Sequence, residues 1–233
     1  MKWKVKYKYN DNFFDLIKQD KQLSQEELDS FIDVTKSKFR NPNILPNIDK
    51  AIQRTKQAIN NNEKIMIAGD YDCDGVTSTA IMVMGLKLLT PNVDWIIPKR
   101  QDGYGLSKKI IDEAIAKNIN LIITVDNGIA AHDAIKYANE NNINVIVTDH
   151  HQHLTEELPT EIVVDPYIDH TYPFHSICGC MLAYKFLRLL IPDLHTRIIH
   201  KEIVVLTMIA TIADAMELKD ENRKFVFNGL KII

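Results

Sequence analysis

IMIAGDYDCDG, residues 65–75, sets a short, wholly apolar run directly against three aspartates, Asp70, Asp72 and Asp74. A four-residue run with no polar face reads as a strand buried on both sides, the signature of an interior parallel strand. The same grammar recurs twice: LIIT (121–124) precedes Val125-Asp126-Asn127-Gly128, and NVIV (144–147) precedes Thr148-Asp149-His150-His151. Each polar cluster therefore falls at the carboxyl end of a strand. Open α/β sheets gather ligands along that edge, so groups distant in sequence become neighbours there. Carboxylate and imidazole donors converging on one edge point to a divalent metal.

Outward from this stretch the pattern alternates. Strands are expected at 64–69, 93–97, 121–125, 143–148 and 161–165, with helices at 76–89, 107–117 and 132–141 between them. Such a series predicts an α/β fold, a parallel sheet of βαβ units joined by right-handed crossovers, with helices on both faces. After Pro173 the chain turns helical, at about 178–190 and 197–213. Upstream, Ser24 and Glu27 form a capping box that opens a helix expected to reach Phe39, and a second helix is expected over 47–60. Residues 1–9 alternate strictly, Trp3, Val5, Tyr7 and Tyr9 against four lysines, which predicts a strand with a solvated lysine edge. The expected organisation is a lead-in over 1–60 and a catalytic domain over 61–233. A last amphipathic helix from Arg223 that stops uncapped at Ile233 suggests a truncated chain or a protein reduced to one domain.

Composition narrows the class. At 233 residues and 45% hydrophobic the chain can bury a sizeable core, and no apolar run approaches the roughly 20 residues that span a bilayer. The expectation is a soluble, cytoplasmic protein without a signal peptide or membrane partner. Three cysteines are too few and too odd in number for a disulfide framework, and Cys178-Gly179-Cys180 lacks the second pair a zinc site requires. A net charge of −3 means that any nucleic-acid contact must come from a local groove.

Asp70, Asp72, Asp74 and Gly75 imitate the start of an EF-hand loop, but the twelfth position is Ile81 rather than a bidentate glutamate and a strand precedes the loop. Three carboxylates at a strand mouth repel one another unless a cation neutralises them. Adjacent His150 and His151 cannot both face the core after a strand. Asp214 stands in an apolar helix and needs a partner, for which the metal cluster is the obvious one.

Together DYDCDG (70–75), VDNGI (125–129), DHH (149–151) and IADAMEL (212–218) resemble the four motifs of the DHH phosphoesterase superfamily, over about residues 65 to 230. NPNILPNIDKAI (41–52), PKRQDGYGLS (98–107) and DENRKFVFNGL (220–230) are similar to its RecJ branch, the single-strand-specific 5′ to 3′ DNA exonucleases. The resemblance implies two manganese or magnesium ions, one held by Asp72, Asp126 and Asp214 and the other by Asp74, Asp126 and His150. His151 would contact the scissile phosphate, Asp70 would support the first metal, and Arg100 with Lys99 could engage phosphate. Ala68 stands where some superfamily members carry a histidine ligand. Met181, Ala210 and Glu217 replace two glycines and a proline of the RecJ pattern, and the family's second, DHH-associated domain is not expected in this sequence. The implied partner is single-stranded DNA, with repair or replication proteins beside it; oligomeric state is left open. Two rivals stay open: a related enzyme for short oligoribonucleotides, cyclic dinucleotides or pyrophosphate, and a non-catalytic replication scaffold.

Overall fold

The computed structural model describes residues 12–152, 158–169 and 171–233. The expected strand at 1–9, His153 and His170 lie outside the described residues. Five strands, β1 (Ile65–Ala68), β2 (Val93–Ile96), β3 (Leu121–Thr124), β4 (Asn144–Thr148) and β5 (Val163–Val164), form one sheet in the order β2-β1-β3-β4-β5. Every pairing is parallel, with Ile67 opposite both Trp95 and Ile123.

Alternation along the strands divides the core into two layers. Ile65, Ile67, Leu121, Ile123 and Ile146 pack with α3 (Ile48–Asn60), α4 (Cys73–Leu86), α7 (Gly179–Leu190) and α8 (His200–Ala213). Met66, Ala68, Ile122, Val145 and Val147 pack with α5 (Lys108–Ala116) and α6 (His132–Glu140). Strand β1 leads through α4 to β2 on one flank, and β3 returns to its other flank. The order therefore reverses at β1, and the crevice beyond its carboxyl end is where such sheets bind ligands. Ala68, Met181 and Ala210 are all fully buried core residues.

Several boundaries differ from the sequence reading. The amino-terminal lead-in contains a helix that apolar spacing did not disclose, α1 (Phe13–Asp20), capped by Asn12. The helix α2 (Gln25–Ile32) has the expected capping box but ends at Ile32 rather than Phe39, because Asp33 turns the backbone extended and caps a short 3₁₀ turn. Helix α4 begins at Cys73, not 76, because Asp72 accepts the Gly75 amide at 2.9 Å and so caps it within the acidic loop. Asp214 is the C-cap of α8 rather than a residue inside it. The last helix, α9 (Asp220–Leu230), starts before Arg223 and ends in backbone hydrogen bonds from Lys231 to Asn228 and Gly229. It is locked to α7 by a buried pair, Lys185 Nζ to Glu221 Oε2 at 2.7 Å, with the Tyr172 hydroxyl donating to the other carboxylate oxygen.

A candidate metal centre at the carboxyl edge of the sheet

His150, delivered by the end of β4, is the hub of the site. Its Nε2 lies 2.9 Å from Asp126 Oδ1, 3.5 Å from Asp74 Oδ2 and 3.6 Å from Asp214 Oδ2. Those three carboxylates come from the end of β3, the first turn of α4 and the C-cap of α8. Asp126, His150 and His151 make a second group of donor atoms within 4.8 Å of one another, beside Asp74, His150 and Asp214. Asp72 caps α4 at the rim, and Asp70 is buried below it.

Local structure explains how each group is held. Asp126 has φ 62°, a left-handed conformation rare for a residue with a side chain, and its amide donates to Thr148 across the β3–β4 edge at 3.1 Å. Asp74 accepts the first two amides of α7, from Gly179 at 2.6 Å and Cys180 at 2.8 Å. The N-cap of α7, Cys178, supplies no side-chain bond, so Asp74 satisfies those orphan donors and meets the positive end of the helix dipole. Gly179 is required for this docking: a Cβ there would stand 2.6 Å from Asp126 Cβ. Gly179→Ala should therefore displace Asp126 and Asp74 together and weaken manganese affinity at least about tenfold, the loss typical of disturbed metal-site support; titration calorimetry checks it. Cys178 and Cys180 are buried in the core, and neither belongs to a donor group among the described residues.

Asp149 has a role that its place in the DHH motif does not by itself reveal. It is buried and organises the DHH turn, accepting the amides of Ile129 (2.9 Å), His150 (2.8 Å) and His151 (3.2 Å) and bonding His151 Nδ1 at 2.7 Å. Burial works to raise its carboxyl, but the His151 bond and these amides bring it below the usual range, and the same bond lifts the His151 imidazole. Asp165 is a residue that sequence reasoning missed altogether. It follows β5, is fully buried, and burial pushes its carboxyl up to about 7. The rule that flagged the other clusters, an acid directly after an apolar run, applies to Val163-Val164-Asp165 as well.

The donor set fits a divalent cation. Burial, followed by the charges of Asp74, Asp72 and Asp149, drives the Asp126 carboxyl far above the ordinary range. Burial raises Asp70 and Asp214 too. Asp214 sits at the negative end of α8, where a carboxylate is disfavoured. Oxygen atoms of Asp70, Asp165 and Asp214 are buried without a hydrogen-bond partner. Such a concentration of unneutralised, unsatisfied oxygen is what hard cations coordinate.

The DHH family, N-terminal domain, model matches residues 64–211, and the chain belongs to that family. The chain is 39% identical over 203 residues to the single-stranded-DNA-specific exonuclease RecJ of Bacillus subtilis, covering 86% of this chain and 25% of that protein. With the RecJ of Escherichia coli it shares 34% over 208 residues, 81% of this chain and 35% of that one. It thus spans about a quarter to a third of the length of these relatives. Among solved structures it is similar to an exonuclease RecJ bound to manganese, with TM-score 0.72 and 34% identity over 80% of this chain and 48% of the other. RecJ from Thermus thermophilus in complex with Mn2+ matches with TM-score 0.69 and 32% identity, over 80% of this chain and 27% of the other.

Proposed function

We propose that this chain is the catalytic part of a RecJ-like exonuclease, hydrolysing phosphodiester bonds of single-stranded DNA from the 5′ end with two manganese or magnesium ions. The observation that carries the reading is His150 Nε2 ringed by Asp126, Asp74 and Asp214, in a family whose similar members are named for this activity and have been solved with manganese. Asp72, Asp126 and Asp214 would hold one ion and Asp74, Asp126 and His150 the other, with Asp126 shared and Asp70 in support. Bound divalent ions supply a nucleophile from water at neutral pH and neutralise charge developing on the phosphate. The residues do the positioning. Asp74 is fixed by the α7 amides, Asp126 by its left-handed peptide, and His151 by Asp149, which keeps the imidazole protonated toward higher pH and able to donate to a phosphate oxygen. Arg100 would meet phosphate at the rim. The role that fits is DNA repair and recombination in the cytoplasm; no helix among the described residues is long and apolar enough to cross a membrane.

The division of labour between the histidines gives one prediction. Calorimetric manganese titration should find affinity lowered by at least about tenfold in His150→Ala and nearly preserved in His151→Ala, whereas activity falls in both. Equal loss of affinity would contradict these roles. The function itself is tested with manganese and a panel of labelled single-stranded DNA, its duplex, a short oligoribonucleotide and a cyclic dinucleotide. Stepwise shortening of the DNA single strand from its 5′ end is expected, with the duplex untouched. Preference for the cyclic or ribonucleotide substrate would move the chain to another branch of the family, and no hydrolysis of any of them would favour a scaffold.

A further inference from the structure

The loop between β2 and α5 carries a tyrosine that, with a second from the acidic loop, makes a pair the metal cluster does not use. Asn127 pins the β2–α5 loop to the sheet edge. Its Oδ1 accepts from the Leu106 amide at 3.1 Å, and its Nδ2 donates to the carbonyls of Ala68 at 3.0 Å and Val125 at 2.9 Å. Tyr104 stands between Gly103 (φ 96°) and Gly105 (φ 63°), two left-handed positions that swing it toward the site. Its hydroxyl donates to the main-chain carbonyl of Asp126 at 3.0 Å and lies 3.4 and 3.5 Å from the two ring nitrogens of His151. The residue is nevertheless 51% exposed. Its polar tip is tied to the metal cluster while its ring stays open to solvent. Tyr71, between Asp70 and Asp72, sets its own ring at 89° to that of Tyr104, centroids 6.5 Å apart. On the outer side the Arg100 guanidinium lies 5.1 Å from the Tyr71 ring centroid.

Two perpendicular rings make a corner, one face to stack on and one wall to pack against. Tyr104 is exposed and Tyr71 half-buried, and accessible aromatics beside a phosphate site and a guanidinium are the elements from which single-strand-binding proteins build base platforms. We propose that Tyr104 and Tyr71 form the subsite for the 5′-terminal nucleobase of the strand, the base on the 5′ side of the phosphodiester that would lie at His151. This rests on the phosphodiesterase reading above and adds a source of strand selectivity. A paired 5′-terminal base has its inner face stacked on the next pair and its Watson–Crick edge bonded to the opposite strand, so it enters the corner only after it unpairs. Tyr104 is at the same time a positioning residue, because its hydroxyl holds the Asp126 peptide.

The test uses a strand with 2-aminopurine at its 5′ end and a matching strand with a 5′-terminal abasic nucleotide. Binding is read in magnesium on rapid mixing, by fluorescence for the first and by competition for the second, and cleavage is followed afterwards. Tyr104→Leu should weaken binding of the intact strand about 5- to 150-fold, the size of one base–aromatic stack, and Tyr71→Leu should weaken it less. Tyr104→Phe, which keeps the ring, should retain binding and KM but lose kcat through the missing bond to Asp126. The abasic end should weaken wild type by the same factor as Tyr104→Leu and should not weaken that variant further. If the abasic end costs Tyr104→Leu as much as it costs wild type, the ring does not hold the base and the proposal falls. Wild type that quenches 2-aminopurine yet cleaves nothing would overturn the hydrolase reading and leave the corner standing. Wild type that cleaves intact and abasic ends with equal KM would do the reverse.

Discussion

Asp126→Ala is expected to abolish the proposed manganese-dependent cleavage of single-stranded DNA, with a loss well beyond the roughly 10–100-fold typical of residues that only support a ligand. The reason is its position. Asp126 is the carboxylate nearest His150 Nε2, the neighbour of Gly179 at the N-terminus of α7, and the proposed shared donor of two ions. Removing its charge should also make the metal-free protein more stable above acid pH. The Asp126 carboxyl titrates higher in the folded chain than in the unfolded one, chiefly because it is buried and secondly because Asp74, Asp72 and Asp149 surround it. Between those two values the folded state holds the proton and the unfolded state has lost it, so stability falls as pH rises through the window. Asp126→Asn removes that titration. Thermal unfolding without metal should show a higher midpoint for Asp126→Asn than for wild type at pH 7 and a narrowing gap toward pH 4, while activity assays of Asp126→Ala show none. An active Asp126→Ala would remove the shared-ligand account.

Lys185→Met should cost about 3–5 kcal/mol, the loss expected when one partner of a buried ion pair is removed. Glu221 is fully buried, and besides the Lys185 ammonium its carboxylate accepts from the Tyr172 hydroxyl and from the Arg40 amide at 3.2 Å. Without the ammonium, it is left with these neutral donors in the core. The double change Lys185→Met with Glu221→Gln should recover a large part of the loss, since no buried charge then remains. Denaturant titration of the two single variants and the double variant measures this directly. Additive losses in the cycle would show that the pair is not a coupled unit. The consequence reaches the candidate site, because α8 and α9, which flank the turn that carries Asp214, pack against each other, and the pair fixes α9 to α7.

How much of this is legible in the sequence follows from how local each signal is. Strands β1 and β3 are buried along their whole length and β4 from Val145 onward, so each centres on an apolar run with a polar cluster behind it, and the parallel sheet with its carboxyl-edge site can be read directly. Strand β5 is expected at 161–165 and has only two residues, and Asp165 behind it follows the same rule but stands alone, without the further acids or histidines that mark the other clusters. Helix starts are displaced where a side chain caps from inside a motif, as Asp72 does for α4. The docking of α7 onto Asp74 joins residues 105 and 106 positions apart, and the bond from Tyr104 to Asp126 spans 22. No window of sequence contains either contact. Tyr104 therefore reads as loop chemistry, and Gly179 as part of a cysteine pair.

The central proposal is that Asp72, Asp74, Asp126, His150 and Asp214 would together hold two divalent ions, the arrangement of two-metal phosphodiesterase sites. Manganese binding to the intact chain, followed by titration calorimetry together with electron paramagnetic resonance, measures this without reference to turnover. The expected result is two ions per chain, with the signal of isolated manganese replaced by that of a spin-coupled pair as the second ion binds, and loss of the coupled signal in Asp126→Ala. A single ion per chain, or two whose signal is the sum of isolated ions, would contradict it.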